Sequence, residues 1–213
     1  MSEIYVFDLD GTLVDSMPYF GKGILSIADD AGLKYDGTLI KILTPLGYVK
    51  GAEYYVNELG IKDTVENIVA KINSRLIYEY SNNIFTKPYV KEFLTKLSGE
   101  GARMFVLTAS PHSVTDICLK HNEIYHLFEK VWSVEDFGLS KSDTRIFYEV
   151  AKAIGCEPSQ IHYFDDSLIA LENAKKAGYI TYGVYDAQSD AELKKMKDHL
   201  ADVVVMDFGS LDK

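Results

Sequence analysis

Ile4-Tyr5-Val6-Phe7-Asp8-Leu9-Asp10-Gly11-Thr12-Leu13-Val14-Asp15-Ser16 is the stretch whose reading decides the fold. Ile4 to Phe7 joins β-branched and aromatic side chains in one unbroken apolar run, the pattern of a short, fully buried strand. The run stops at two acids, a glycine and a threonine, so carboxylates sit at the C-terminal end of that strand. Further short apolar runs follow at Arg103 to Leu107, Lys130 to Trp132, Ile161 to Phe164, Ile180 to Val184 and Val203 to Val205. Helical patterns separate them, and strands alternating with helices predict an α/β fold with a doubly wound, mostly parallel sheet.

The helices carry their own boundaries. Val90, Phe93, Leu94 and Leu97 share one face, with Pro88 before them and Gly99 as the expected stop. Ile146, Phe147, Val150 and Ile154 repeat the pattern before Gly155, and Leu171 and Ala174 precede Gly178, the expected C-terminal cap. Residues 17–87 hold no convincing strand. Asp29-Asp30-Ala31-Gly32 and Tyr54 to Gly60 read as helix ends, and Asp63 with Glu66 reads as a capping box opening a further helix. The expected organisation is an α/β core from residues 1–16 and 88–213, interrupted after its first strand by a small all-helical domain over 17–87.

With 213 residues, 47% of them hydrophobic, the chain can bury a sizeable core, which argues against a disordered or fibrous protein. Lys and Arg number 22 against 32 Asp and Glu, and no long block of one sign occurs. Such a balance disfavours nucleic acid as a partner, because binding to a phosphate backbone needs clustered cations. No basic-then-apolar leader and no run of membrane-spanning length is evident, so the expectation is a soluble cytoplasmic protein, monomer or homodimer. Cys118 and Cys156 form no CxxC pair and read as reduced, mostly buried thiols. The histidines (His112, His121, His126, His162 and His199) lack transition-metal spacing and read as structural or surface residues.

In open sheets of this class, ligands bind outside the carboxyl ends of the strands. Asp8, Asp10, Thr108, Asp165 and Asp166 all fall there. Two carboxylates at i and i+2 can divide the labour of nucleophile and proton carrier. The alternative reading of Asp8 and Asp10, an Asp-Gly turn flanked by a solvated acid, does not account for the order of strand, two acids, Gly and Thr.

Asp8-Leu9-Asp10-Gly11-Thr12 resembles the first signature of the haloacid dehalogenase-like superfamily, Asp-x-Asp-x-Thr after a strand. Thr108, ending Met104 to Leu107, is similar to the second, a Ser or Thr whose hydroxyl holds a phosphate oxygen; neighbouring Ser110 reads as a helix cap or a further phosphate contact. Lys141 with Phe147 keeps the spacing of the third but lacks both of its prolines. His162-Tyr163-Phe164-Asp165-Asp166-Ser167 resembles the fourth, with Asp166 as metal-binding acid and Asp165 as an accessory acid. Many relatives carry another Asp where this chain has Ala170, which shifts weight onto Asp165. The matching motifs run from about residue 3 to residue 178.

The resemblance implies a Rossmann-like core with a helical cap, and a Mg²⁺-dependent phosphatase of a small phosphorylated metabolite. Asp8 would be the nucleophile, Asp10 the acid and base, and Thr108 and Lys141 the phosphate cradle, with Thr12 and Ser110 as further substrate contacts. Mg²⁺ would lie on Asp8, Asp10 through its backbone carbonyl, Asp166 and Asp165. In the cap, Thr44 to Gly51 reads as the most loop-like stretch, making Tyr48 and Lys50 candidates for touching the leaving group. A sugar-phosphate mutase resembling beta-phosphoglucomutase is the nearest rival, because Asp165-Asp166-Ser167 matches its metal loop. A non-catalytic phosphate-binding protein is the other, and it needs no nucleophile and acid pair.

Overall fold

The computed structural model describes residues 2–43, 46–186, 196 and 200–212. The chain divides into two compact units, Ser16–Ile84 and the flanking segments Met1–Asp15 with Phe85–Lys213.

Within the first, α1 (Met17–Asp30), α2 (Gly37–Leu43), α3 (Gly47–Asn57) and α4 (Val65–Asn82) pack together, with no strand among the described residues. Ile68, Ile72, Leu76 and Tyr80 recur every four residues and are buried along one face of α4. Each such aliphatic side chain contributes roughly 1.5–3 kcal/mol by leaving water. Gly23 lets α1 approach that face closely, since a Cβ there would stand 3.0 Å from Leu76 Cδ2. Buried Tyr55 of α3 donates its hydroxyl to the Ile24 carbonyl at 2.8 Å.

Two local expectations need correction here. Thr64, one residue later than expected, is the N-cap of α4 and accepts from the Asn67 amide, while Asp63 bonds the Thr64 amide, Asn67 and Lys71. Those donors hold the Asp63 carboxyl down to about 2. The stretch read as a specificity loop is helical from Gly47 onward. Its two glycines suggest a loop, but burial of Ala52 and Tyr55 outweighs their low helix propensity. Thr44 and Pro45 lie outside the described residues.

The second unit is built on six parallel strands: β1 (Ile4–Phe7), β2 (Arg103–Thr108), β3 (Lys130–Ser133), β4 (Ile161–Asp165), β5 (Ile180–Val184) and β6 (Val203–Val205). Their order is β3-β2-β1-β4-β5-β6, every neighbouring pair parallel. The chain winds outward from β1 in one direction, then returns to β4 and winds outward in the other. The order therefore reverses between β1 and β4, and a crevice opens beyond their carboxyl ends. β1 is buried throughout, as its unbroken apolar run requires.

Among the described residues of this unit the α-helices are α5 (Val90–Gly99), α6 (His112–His121), α7 (Arg145–Ile154) and α8 (Leu168–Ala177). The left-handed Gly155 and Gly178 cap α7 and α8 as expected. Gly99 is the last residue of α5, Glu100 caps it, and Gly101 at φ +77° makes the turn into β2. No described helix is long and apolar enough to cross a membrane.

Candidate active site

Register places the acids. Phe7 pairs with Phe164, and the Asp8 amide donates to the Phe164 carbonyl at 2.8 Å. Asp8 and Asp165 therefore emerge side by side where β1 and β4 end, at the reversal of strand order. On the other flank Phe7 pairs with Val106, which brings Thr108 level with the Asp8 loop. Gly11, at φ +78°, turns that loop, and a Cβ there would lie 2.5 Å from Asp166 Oδ2. Glycine is thus required twice over, for the left-handed backbone and for the space that Asp166 occupies.

Lys141 arrives from 133 residues away to bond the Asp8 carboxylate, and it also donates to Asp165 Oδ2 at 2.9 Å. The missing prolines are replaced by hydrogen bonds. Ser140 O accepts from the Asp143 amide at 2.9 Å, the Ser140 and Ser142 hydroxyls meet at 2.6 Å, and Thr144 donates to Asn173 at 2.6 Å. Asp165 is further held by the Tyr163 hydroxyl and, at 2.7 Å, by the Ser167 amide.

The electrostatics follow from burial. Lys141, Asp8 and Asp165 keep only 12%, 8% and 1% of their side chains exposed. Burial pushes the Asp8 carboxyl well above the usual range; Lys141 pulls it back, while Asp165, Asp166 and Asp10 push it further up. Burial raises Asp166 to about 7, and the charge on Asp165 adds to that. Burial alone would lower the Lys141 pKa, but Asp165 and Asp8 outweigh it and keep the ammonium protonated. Three carboxylates thus face one ammonium. Ligand oxygens of Asp8, Asp165 and Asp166 all lie within 4.8 Å of one another. An all-oxygen donor set with excess negative charge fits a hard divalent cation such as Mg²⁺.

The remaining sequence candidates divide. Asp10 lies outside that three-acid cluster, and its carboxylate accepts from Ser110 Oγ at 2.6 Å. Ser110 does not cap α6: Pro111 occupies the N-cap, and no side chain bonds the helix end. Buried Thr108 accepts from the Ser110 amide at 3.0 Å. Thr12 is fully buried, and its hydroxyl has no hydrogen-bond partner among the described residues. Lys50 is an exposed residue of α3, and only the backbone of Tyr48 is described. Ala170 is packed into the apolar core beside Leu171 and Ala174. Burial pushes the Cys118 thiol up to about 12, as an inert core cysteine requires.

Sequence reasoning passed over Gly11, Tyr163 and a buried ion pair. Lys87 Nζ meets Asp186 Oδ2 at 2.9 Å and the Tyr185 carbonyl at 2.9 Å, and the charges of both side chains reach Asp166. One signal was available for Asp186: it follows the end of β5 as Asp8 follows β1.

The chain is similar to known proteins. The model of the haloacid dehalogenase-like hydrolase family matches residues 5–184. A phosphorylated carbohydrates phosphatase of Thermotoga maritima is 24% identical over 191 residues, covering 89% of this chain and 88% of that one. A phosphoglycolate phosphatase of Mannheimia succiniciproducens is 27% identical over 189 residues, covering 84% and 83%. Among solved structures, a proposed beta-phosphoglucomutase of Thermotoga maritima superposes with a TM-score of 0.84 at 24% identity, covering 95% and 94%. With a family model spanning both motif-bearing strand ends and the helical insertion between them, the chain belongs to the haloacid dehalogenase-like hydrolases.

Proposed function

We propose that this protein is a Mg²⁺-dependent phosphatase of small phosphorylated metabolites, working through a phosphoryl group carried on Asp8. The observation that carries this reading is the ammonium of Lys141 held on Asp8 at the strand-order reversal, with Asp166 near enough to share a metal ion with Asp8. The named phosphatases among its relatives support the substrate class.

Asp8 attacks phosphorus in line, forming a new P–O bond as the bond to the leaving oxygen breaks. Asp10, oriented by Ser110, gives that oxygen its proton. Asp10 then takes a proton from water as the water attacks the same phosphorus, which releases inorganic phosphate and restores Asp8. Lys141 and Thr108 stabilise the charge on the transferring group throughout. Asp8, Asp166 and the Asp10 carbonyl would hold Mg²⁺, which supplies further charge neutralisation at the phosphoryl oxygens.

The helical unit is proposed as the cap that chooses among substrates. Asp8, Asp10, Thr108 and Lys141 meet only the phosphoryl group, which every substrate shares, so discrimination falls to contacts with the leaving group. The mutase reading has one feature in its favour, the Asp165-Asp166-Ser167 sequence, but that triplet does not encode a long-lived phosphoenzyme. Turnover of p-nitrophenyl phosphate, abolished by chelation and restored by Mg²⁺, is the expected result. Binding of phosphate without any turnover would instead favour a non-catalytic binding protein.

A further inference from the structure

Asp165 stands among the three acids that can reach one metal ion, and its carboxylate is also where three donors meet. Oδ2 accepts from both the Tyr163 hydroxyl and Lys141 Nζ, and Oδ1 accepts from the Ser167 amide. A carboxylate oxygen offers two lone pairs, so Oδ2 is filled by its two donors while Oδ1 keeps one open. Releasing the Tyr163 hydroxyl would leave a buried polar group unpaired, since Tyr163 is fully buried. The glycine at position 11 leaves room for the Asp166 carboxylate.

Tyr163 is itself locked in place. Its ring meets Phe147 edge-on at 5.2 Å and Tyr179 at 6.1 Å, and the Tyr179 hydroxyl donates to the Phe147 carbonyl at 2.6 Å. The same ring lies 5.9 Å from Lys141 Nζ, so tyrosine and lysine are both gathered on Asp165. Phe147 and Lys141 keep the spacing noted in the sequence, and the packing gives that spacing a purpose. It carries the wall for Tyr163 on the same segment as the ammonium.

The geometry points to Tyr163 as a positioning residue: its hydroxyl fixes Asp165 so that Asp165 braces Lys141 against Asp8. This inference rests on the phosphatase reading for its catalytic consequence, but not for its structural one. Asp165 then shares the work of the nucleophile's side of the site. A brace of this kind acts only through Lys141. A ligand would act through the ion.

Tyr163→Phe removes one hydroxyl and keeps the ring and every charge. Its effect on kcat for p-nitrophenyl phosphate is expected to be a loss of about tenfold, in line with a small misplacement of a reacting group. The Mg²⁺ dissociation constant from calorimetry stays within about twofold of the wild type, whereas Asp166→Asn weakens it by about tenfold or more. In a Lys141→Met background, adding Tyr163→Phe changes kcat by less than about twofold, because the brace has nothing left to hold. Equal losses in both backgrounds, or a weakening of Mg²⁺ binding that matches Asp166→Asn, would overturn the assignment. A wild-type protein without phosphatase activity would sink the proposed function instead. The same double-mutant cycle read from urea unfolding then decides the brace: coupling of Tyr163 to Lys141 supports it, and additivity refutes it.

Discussion

The two units differ most in what they bury. In the α/β unit the interior holds Asp8, Thr12, Thr108, Asp165 and Asp186 alongside its apolar core, whereas Ser16 is the one buried polar residue described in the helical unit. Burying an acid is costly unless a partner compensates it, and the α/β unit supplies those partners through Lys141, Lys87, Tyr163 and backbone amides. The helical unit is held by apolar faces and carries its charges at the surface, as in the Arg75–Asp30 pair at 2.7 Å. The difference teaches that the cost of a reactive site is concentrated at the carboxyl ends of the central strands.

The sharpest way to break this contrast is Gly11→Ala. The new methyl would stand against Asp166, and the left-handed backbone at this position costs a residue with a side chain about 1–2 kcal/mol in conformation alone. We expect Mg²⁺ affinity to fall by about tenfold or more, and turnover of every substrate to fall by the same factor, since all depend on one displaced ligand. A variant that binds Mg²⁺ normally would remove the steric argument. Lys50→Ala tests the other unit. It is expected to change the ratio of kcat/KM for two phosphorylated metabolites by about threefold to tenfold with p-nitrophenyl phosphate turnover nearly unchanged. An unaltered ratio would move selection elsewhere in the helical unit.

The smallest effect concerns a surface tie of the α/β unit. His112 Nε2 meets Asp136 at 2.9 Å and Nδ1 meets Asp116 at 3.3 Å. The Asp136 bond raises the imidazole above its ordinary value against a smaller lowering by burial, and Asp116 adds to the rise. A raised folded-state value means the stabilisation is complete below about pH 6.5 and fades as pH rises through the folded value. The ring is 43% exposed, so screening keeps the effect small. His112→Asn is therefore expected to lower the unfolding midpoint most at about pH 5.5 and not at all near pH 9. A difference that grows with pH would contradict the assignment.

The strands show what was legible in the sequence and why the rest was not. β1, β5 and β6 coincide with their apolar runs, but β2, β3 and β4 each extend one residue further, to Thr108, Ser133 and Asp165. Backbone pairing continues through polar side chains, so an apolar run stops short where function begins. The acids themselves were readable because adjacent strand ends bring them together whatever the loops do. Tyr163 and the Ser110–Asp10 bond were not readable: one looks like any core aromatic, and the other joins residues 100 positions apart. The Gly47 helix was not readable either, since tertiary packing can carry a helix through a glycine.

The central claim is that Asp8 carries the phosphoryl group during turnover. It is tested most directly by mixing the protein with p-nitrophenyl phosphate and Mg²⁺, quenching in acid within a turnover, and reading the Asp8 peptide by mass spectrometry. The account predicts one added phosphoryl group on Asp8, removed by hydroxylamine as an acyl phosphate must be, and absent from an Asp8→Asn variant that remains folded and does not turn over. Rapid turnover with no phosphoryl group on that peptide, or near-wild-type activity in Asp8→Asn, would contradict it.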